Sequence, residues 1–168
     1  LMDLRSDEVY VDDDYNAAAE GWGLDHFASI ATAVGHVLDG GTVHVAAGTY
    51  EESVDLGSAQ SAGLSFVGEG RDVTFWEQPA GARILSRDNR SNDLDYTMEL
   101  TGFTFVGDAD AATLVYLGKN QYSGGTGELN LDIHHNTFRS PADFSGAGSN
   151  YGLHMCKNNT SRNGDGSF

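Results

Sequence analysis

The stretch His26–Leu56, HFASIATAVGHVLDGGTVHVAAGTYEESVDL, decides the fold because its hydrophobic period changes once along its length. In the first half, apolar residues recur at steps of three and four, which indicates one face of an amphipathic helix. We predict a helix over residues 26–39, with Asp25 as its N-cap and Gly40-Gly41 at its end. After the glycines the period becomes two, which predicts a strand, a turn at Gly48 and a second strand.

The order and spacing of these residues resemble the entry segment of right-handed parallel β-helix proteins of the pectin-lyase-like superfamily. The resemblance is carried by Phe27, Ile30 and Ala33-Val34, and by GGTVHVAAGTYEE at residues 40–52. It implies an all-β fold, a right-handed parallel β-helix (solenoid) of about four to five coils with an N-terminal capping α-helix. It implies little about activity, because no catalytic motif of the active members stands at a matching position.

We predict a single domain over residues 1–168, which also fits the N-terminal part of a longer β-helix. Its parts are an arm with a short strand (1–25), the cap helix (26–39), the coils (42–160) and a tail (161–168). The repeated corners GFTF, HNTF and KNNT are typical of stacked coils, and Asn136 and Asn158 are predicted to form a structural ladder between coils. The predicted inward residues are Val43, Val45, Leu64, Phe66, Met98, Leu100, Leu131, Ile133, Leu153 and Met155.

The chain carries 25 acidic and 9 basic residues, for a net charge of −16. Such a surface repels nucleic acid and anionic membranes and favours cations, neutral glycans or a high-salt habitat; it also fits a surface that merely keeps an extracellular protein soluble. No apolar run reaches the roughly 18 residues of a membrane span. Cys156 is the single cysteine, so no intrachain disulfide can form. We therefore expect an extracellular or cell-surface protein with no nucleic-acid partner and no membrane insertion.

Aligning the coils on their corners predicts two outward columns of side chains. The first contains His44, Ser65, Glu99, Asp132 and His154, and the second contains Ala46, Val67, Thr101, His134 and Cys156. Paired carboxylates beside an imidazole are typical of acid–base catalysis, so Glu99, Asp132 and His134 are the catalytic candidates. His44, His154 and Tyr151 are the ligand-binding candidates. An ordinary hydrated strand face explains the same pattern, and His134, His154, Cys156 and Asp132 also form a candidate transition-metal set.

Asp12-Asp13-Asp14 offers hard oxygen ligands, and calcium is the one cofactor that the sequence indicates. Because adjacent side chains diverge, we expect Asp12 and Asp14, and not all three residues, to contact one ion. A solvated turn is the alternative interpretation of the same three residues.

The helix covers one end of the predicted stack, and the sequence shows nothing that covers the other end. Either the chain continues in a longer protein, or the open C-terminal coil docks against another copy of the chain. We expect a non-catalytic β-helix module of a secreted or cell-surface protein, used for glycan contact or end-to-end self-assembly. Its partner would be a polysaccharide or a second copy. The alternative is a polysaccharide lyase or glycoside hydrolase acting on an extracellular polysaccharide.

Overall fold

The computed structural model describes residues 4–57, 63–89, 95–108, 114–121, 129–139 and 153–159. The described chain is a β-solenoid in which every strand pairing is parallel. Three sheets form its sides, and the chain passes from the first to the second to the third before it returns to the first. The all-β solenoid predicted from the sequence is therefore confirmed.

Each sheet contains one strand from each successive coil, and the first sheet also contains the two strands that precede the first coil. The first sheet has the order β12-β9-β6-β3-β1-β2 and consists of β1 (Ser6–Val11), β2 (His26–Phe27), β3 (Val37–Val45), β6 (Ser65–Gly68), β9 (Tyr96–Thr101) and β12 (Leu129–His134). The second has the order β13-β10-β7-β4 and consists of β4 (Gly48–Glu51), β7 (Thr74–Glu77), β10 (Thr104–Val106) and β13 (Thr137–Arg139). The third has the order β14-β11-β8-β5 and consists of β5 (Val54–Asp55), β8 (Leu85–Asn89), β11 (Val115–Gln121) and β14 (Leu153–Asn159).

The chain makes about three turns, slightly fewer than the four to five coils predicted. The difference lies at the C-terminal end. The sequence pattern predicts that Tyr151–Met155 opens a further coil with a corner at Cys156–Thr160. Instead β14 pairs with β11 and forms the third side of the last coil.

The capping helix is shorter than predicted. Helix α1 covers only Ile30–Val34, and its N-cap is Ser29, whose side chain accepts a hydrogen bond from the Thr32 amide. The N-cap at Asp25 and the end at Gly40-Gly41 are wrong, since β2 and β3 occupy the flanks of the predicted helix. The physical reason is the edge of β1, whose backbone groups pair with β2 on one side and β3 on the other.

A single inward row runs through the first sheet and forms the core. Val43, Phe66 and Leu100 lie opposite one another on successive strands and are fully buried, and the row continues to half-buried Ile133. The predicted alternation is confirmed, but Val45 lies opposite Gly68 and so falls outside this row. A shift of two residues keeps a side chain on the same face, so alternation alone does not fix the row.

Asn136 joins two coils as the sequence predicts. Its Oδ1 accepts a hydrogen bond from the Phe103 amide at 2.9 Å, and its Nδ2 donates to the Leu100 carbonyl at 2.6 Å. The backbone turns left-handed one residue earlier, at His135, with φ 55°. Asn158 lies within β14 and not at a corner.

Arg87 is a charged residue that is buried in the interior, where the sequence predicts only apolar side chains. Residues 86–95 are polar in the sequence, which is typical of a loop. However, β8 extends to Asn89, and the Arg87 side chain is only 1% exposed. Its guanidinium carbon lies 3.1 Å from the centroid of the Tyr96 ring. Burial lowers the pKa of Arg87, and the charge of Asp39 opposes that shift. In the part of the chain that the structure describes, the interior of the solenoid therefore contains a cation packed on an aromatic ring.

Candidate functional site

The outer face of the first sheet carries two neighbouring rows of side chains. One row contains, on successive strands, His26, Tyr10, His44, Val67, Thr101 and His134. The other contains Glu8, Thr42, Ser65, Glu99 and Asp132. The predicted alignment of Ser65, Glu99 and Asp132 is confirmed, but His44 belongs to the row of His134.

The predicted columns fail at their C-terminal end. His154 and Cys156 lie on β14, opposite Tyr116 and Gly118 of the third sheet. They therefore do not share a sheet with Asp132 or His134, and the predicted transition-metal set is not brought together. Tyr151 lies outside the described residues.

In the first row, two imidazoles flank a pair of shorter side chains, and we call this stretch of the outer face the imidazole trough. It is defined by His44 and His134 at its ends and by the short side chains of Val67 and Thr101 between them. Three strand spacings of about 4.8 Å separate the two histidines, so the trough is roughly 14 Å long. The side chains of His44 and His134 are 37% and 38% exposed, so part of each ring is accessible to a ligand, while the Nε2 atom of His44 is itself buried.

The His44 end is held by a stack of rings. The Tyr10 ring lies between His44 and His26, with centroid distances of 5.0 Å and 5.1 Å. The Tyr10 hydroxyl donates to Glu8 Oε2 at 2.9 Å, and this hydrogen bond raises the pKa of Tyr10. Because β3 lies between β1 and β6, the face of His44 that is turned away from Tyr10 borders the trough.

The His134 end brings together the three predicted catalytic candidates. His134 Nε2 lies 3.4 Å from Glu99 Oε1 and 3.9 Å from Asp132 Oδ1. Its Nδ1 lies 3.1 Å from Thr101 Oγ1 and 2.6 Å from the Nδ1 of His135. Nε2 thus faces two carboxylates, and the contacts of Nδ1 with Thr101 and His135 fix the orientation of the ring.

Sequence reasoning missed His135 and the orienting role of Thr101. His135 follows His134 at a corner where the previous coil has Gly102, and both residues have positive φ. The doubled histidine before Asn136 was the available signal. A non-glycine residue in the left-handed region is uncommon, and such residues cluster at functional sites.

Asp12, Asp13 and Asp14 come closer together than predicted. One carboxylate oxygen of each lies within 4.8 Å of the other two, and in the described part of the chain no other three acidic, histidine or cysteine residues do so. The expectation that their side chains diverge is therefore wrong. Asp12 Oδ1 accepts from the Asp14 amide at 3.0 Å, and Asp13 Oδ2 accepts from the Thr49 amide at 3.4 Å. These bonds suit a stabilised turn, and the free oxygens suit a hard cation.

Comparisons of the chain with protein-family models, with curated proteins and with solved structures found no match. Among the described residues, no helix is long and apolar enough to cross a lipid bilayer. The parallel strand pairing is the evidence for the fold, and the side chains of the trough are the evidence for the function.

Proposed function

We propose that this chain is a glycan-contacting β-solenoid module of a secreted or cell-surface protein. The observation that carries the proposal is the imidazole trough, the stretch of outer face that runs along the solenoid axis from His44 to His134. Its neighbouring row supplies the hydroxyl of Ser65 and the carboxylates of Glu99 and Asp132.

A polysaccharide lying along the axis meets a new strand about every 4.8 Å, which is close to the length of one sugar unit. The face of His44 offers a flat surface against a sugar ring. Glu99, Asp132 and Thr101 offer acceptors and a donor for sugar hydroxyls. The floor at Val67 is apolar and half-buried, which suits the C–H face of a pyranose.

Membership of the pectin-lyase-like superfamily is part of the proposal. Its support is that GGTVHVAAGTYEE spans the end of β3, a corner and β4, as the resemblance implies. The short helix before it and the parallel sheets agree with the same assignment.

Filling the trough tests glycan contact. Val67→Trp places a large ring between the two histidines, so we expect at least a tenfold loss of affinity for any glycan that the unaltered protein binds. Glu51→Trp adds the same ring to the exposed end of β4 in the second sheet and should leave affinity unchanged. Calorimetric titration against a panel of extracellular polysaccharides measures both. No binding across the panel, or equal loss in both variants, would exclude the trough.

A polysaccharide lyase or glycoside hydrolase is the second candidate. It is favoured by one observation: Glu99 and Asp132 lie opposite each other on neighbouring strands, with His134 within 4 Å of both. One carboxyl group would protonate the leaving oxygen while the other assists attack on the sugar. The test is release of new reducing ends or unsaturated sugars, abolished in Glu99→Gln and Asp132→Asn. Absence of turnover on the glycans that bind leaves the module non-catalytic.

Self-association through the last coil is the other use we propose for the module. In the described part of the chain, β12, β13 and β14 each pair on one side only, and Leu131, Ile133, Phe138 and Leu153 remain only half-buried against the core. Removing residues 151–168 should change the oligomer size measured by analytical ultracentrifugation. An unchanged size would remove self-association from the proposal.

A further inference from the structure

Carboxylates lie near both ends of the trough and near its floor. Glu99 and Asp132 stand in the neighbouring row at the His134 end, and Glu8 Oε2 lies 4.0 Å from His44 Nε2 at the other end. Glu69 lies next to the floor, where its Oε2 accepts from the Ala47 amide at 2.9 Å. Neither outer row of the first sheet contains a lysine or an arginine. Apart from the imidazoles, the ionisable side chains that a ligand meets along the trough are therefore carboxylates.

The two carboxylates at the His134 end are available to a ligand. The side chains of Glu99 and Asp132 are 39% and 75% exposed, and their one ion-pair partner among the described residues is the His134 ring. An ammonium group carries three donors and no acceptor, so it can bond to both carboxylates at once. A uronate would instead place a further carboxylate beside them and be repelled.

We infer that the trough selects glycans that carry free amino groups, that is, cationic amino-sugar polymers. The inference rests on the proposed glycan contact and adds the chemical class of the ligand. The amino group binds between Glu99 and Asp132, while the sugar ring lies over Val67 toward His44. Acetylation of the amine removes its charge and two of its donors, so the acetylated polymer binds more weakly.

The test compares three hexasaccharides by calorimetric titration at pH 6 and low salt: glucosamine, N-acetylglucosamine and galacturonic acid. We expect the glucosamine hexamer to bind at least tenfold more tightly than its acetylated form, and the galacturonate hexamer to bind most weakly. In Glu99→Gln/Asp132→Asn the preference for the free amine should fall to within threefold.

The matched control removes the same charge from a different face. Glu51 and Glu77 lie opposite each other on β4 and β7, so Glu51→Gln/Glu77→Gln changes the net charge equally on the second sheet. This variant should keep the full preference for the free amine. Equal loss in both double variants would show general attraction to an acidic protein and overturn the inference.

The remaining outcomes separate the inference from the proposed function. Equal affinity for the free and the acetylated hexamer overturns amine selection, while glycan contact stands if Val67→Trp abolishes that binding. If neither these hexamers nor the wider polysaccharide panel binds, glycan contact fails and amine selection fails with it.

Discussion

Glu52 accepts a hydrogen bond from the Ser29 hydroxyl at 2.8 Å, although the two residues are 23 positions apart. The same carboxylate accepts from the amides of Ile30 and Ala31 at 3.0 and 2.9 Å. It therefore satisfies the first free amides of α1 and ties the cap to the corner after β4.

Glu52→Ala should lower the free energy of unfolding by about 2 kcal/mol, because charge-assisted bonds at a helix end are lost together. Glu52→Gln should lower it by less, since an amide oxygen still accepts one bond. Urea unfolding followed by circular dichroism measures both. Glu51→Ala, at the neighbouring exposed position, is the control and should change the free energy by under about 0.5 kcal/mol. An equal effect at both positions would contradict the capping role.

Two buried tyrosines should make the fold sensitive to alkali. Burial raises the pKa of both Tyr50 and Tyr96 above the ordinary value. Above about pH 10 the unfolded chain loses these protons while the folded chain keeps them. The unfolded state then binds fewer protons, so stability falls as pH rises, by about 1.4 kcal/mol per pH unit for each tyrosine. Urea midpoints between pH 9 and 11.5 measure the loss.

Replacing each tyrosine by phenylalanine should reduce the loss of stability in alkali, and the two variants should differ in stability at pH 7. The Tyr50 hydroxyl donates to the Ala46 carbonyl at 3.2 Å, so Tyr50→Phe should cost about 1 kcal/mol at pH 7. The buried Tyr96 hydroxyl has no hydrogen-bond partner among the described residues, so Tyr96→Phe should be neutral or stabilising at pH 7. An alkaline loss unchanged in the double variant would show that other groups control it.

Asn136→Ala should lower the free energy of unfolding by about 2 to 3 kcal/mol, because both an amide and a carbonyl of the preceding coil lose their partner. Asn130→Ala, at an exposed position of β12, should have little effect and serves as the control. Thermal unfolding followed by circular dichroism compares them. Similar melting temperatures for the two variants would contradict the bridge between coils.

His135→Gly should relieve the left-handed backbone at the corner and raise stability by about 1 kcal/mol relative to His135→Ala, which keeps a β-carbon there. Urea unfolding followed by circular dichroism measures the free energy of unfolding of both variants. If the alanine variant is as stable as the glycine variant, the corner is not strained.

Periodicity predicted the faces of the strands but not their partners. Val43, Phe66, Leu100 and Ile133 point inward as predicted. Alternation alone did not indicate whether Val43 or Val45 lies beside Phe66, because a shift of two residues satisfies the same alternation. For the same reason, His44 was predicted in the row of Asp132 but lies in the row of His134. Residues 26–39 fit both helical and strand periods, and pairing with β1 decided that only five of them are helical.

The candidate site was predictable where neighbours share a sheet. Glu99 and Asp132 were predicted as neighbours because β9 and β12 pair in the register that the corner alignment indicates. His154 was assigned to the wrong sheet, because the sequence of a short apolar strand does not indicate which of the three sheets that strand joins. Arg87 reads as a loop residue in a polar stretch, and only its alternation with Leu85 signals that it points inward.

In the first sheet each turn adds one residue to every row, so the number of turns sets the length of the trough. Inserting one complete coil between β6 and β9 would lengthen the trough by about 4.8 Å while leaving both histidine ends intact. Under the glycan contact proposed above, the number of coils would set how many sugar units the protein spans.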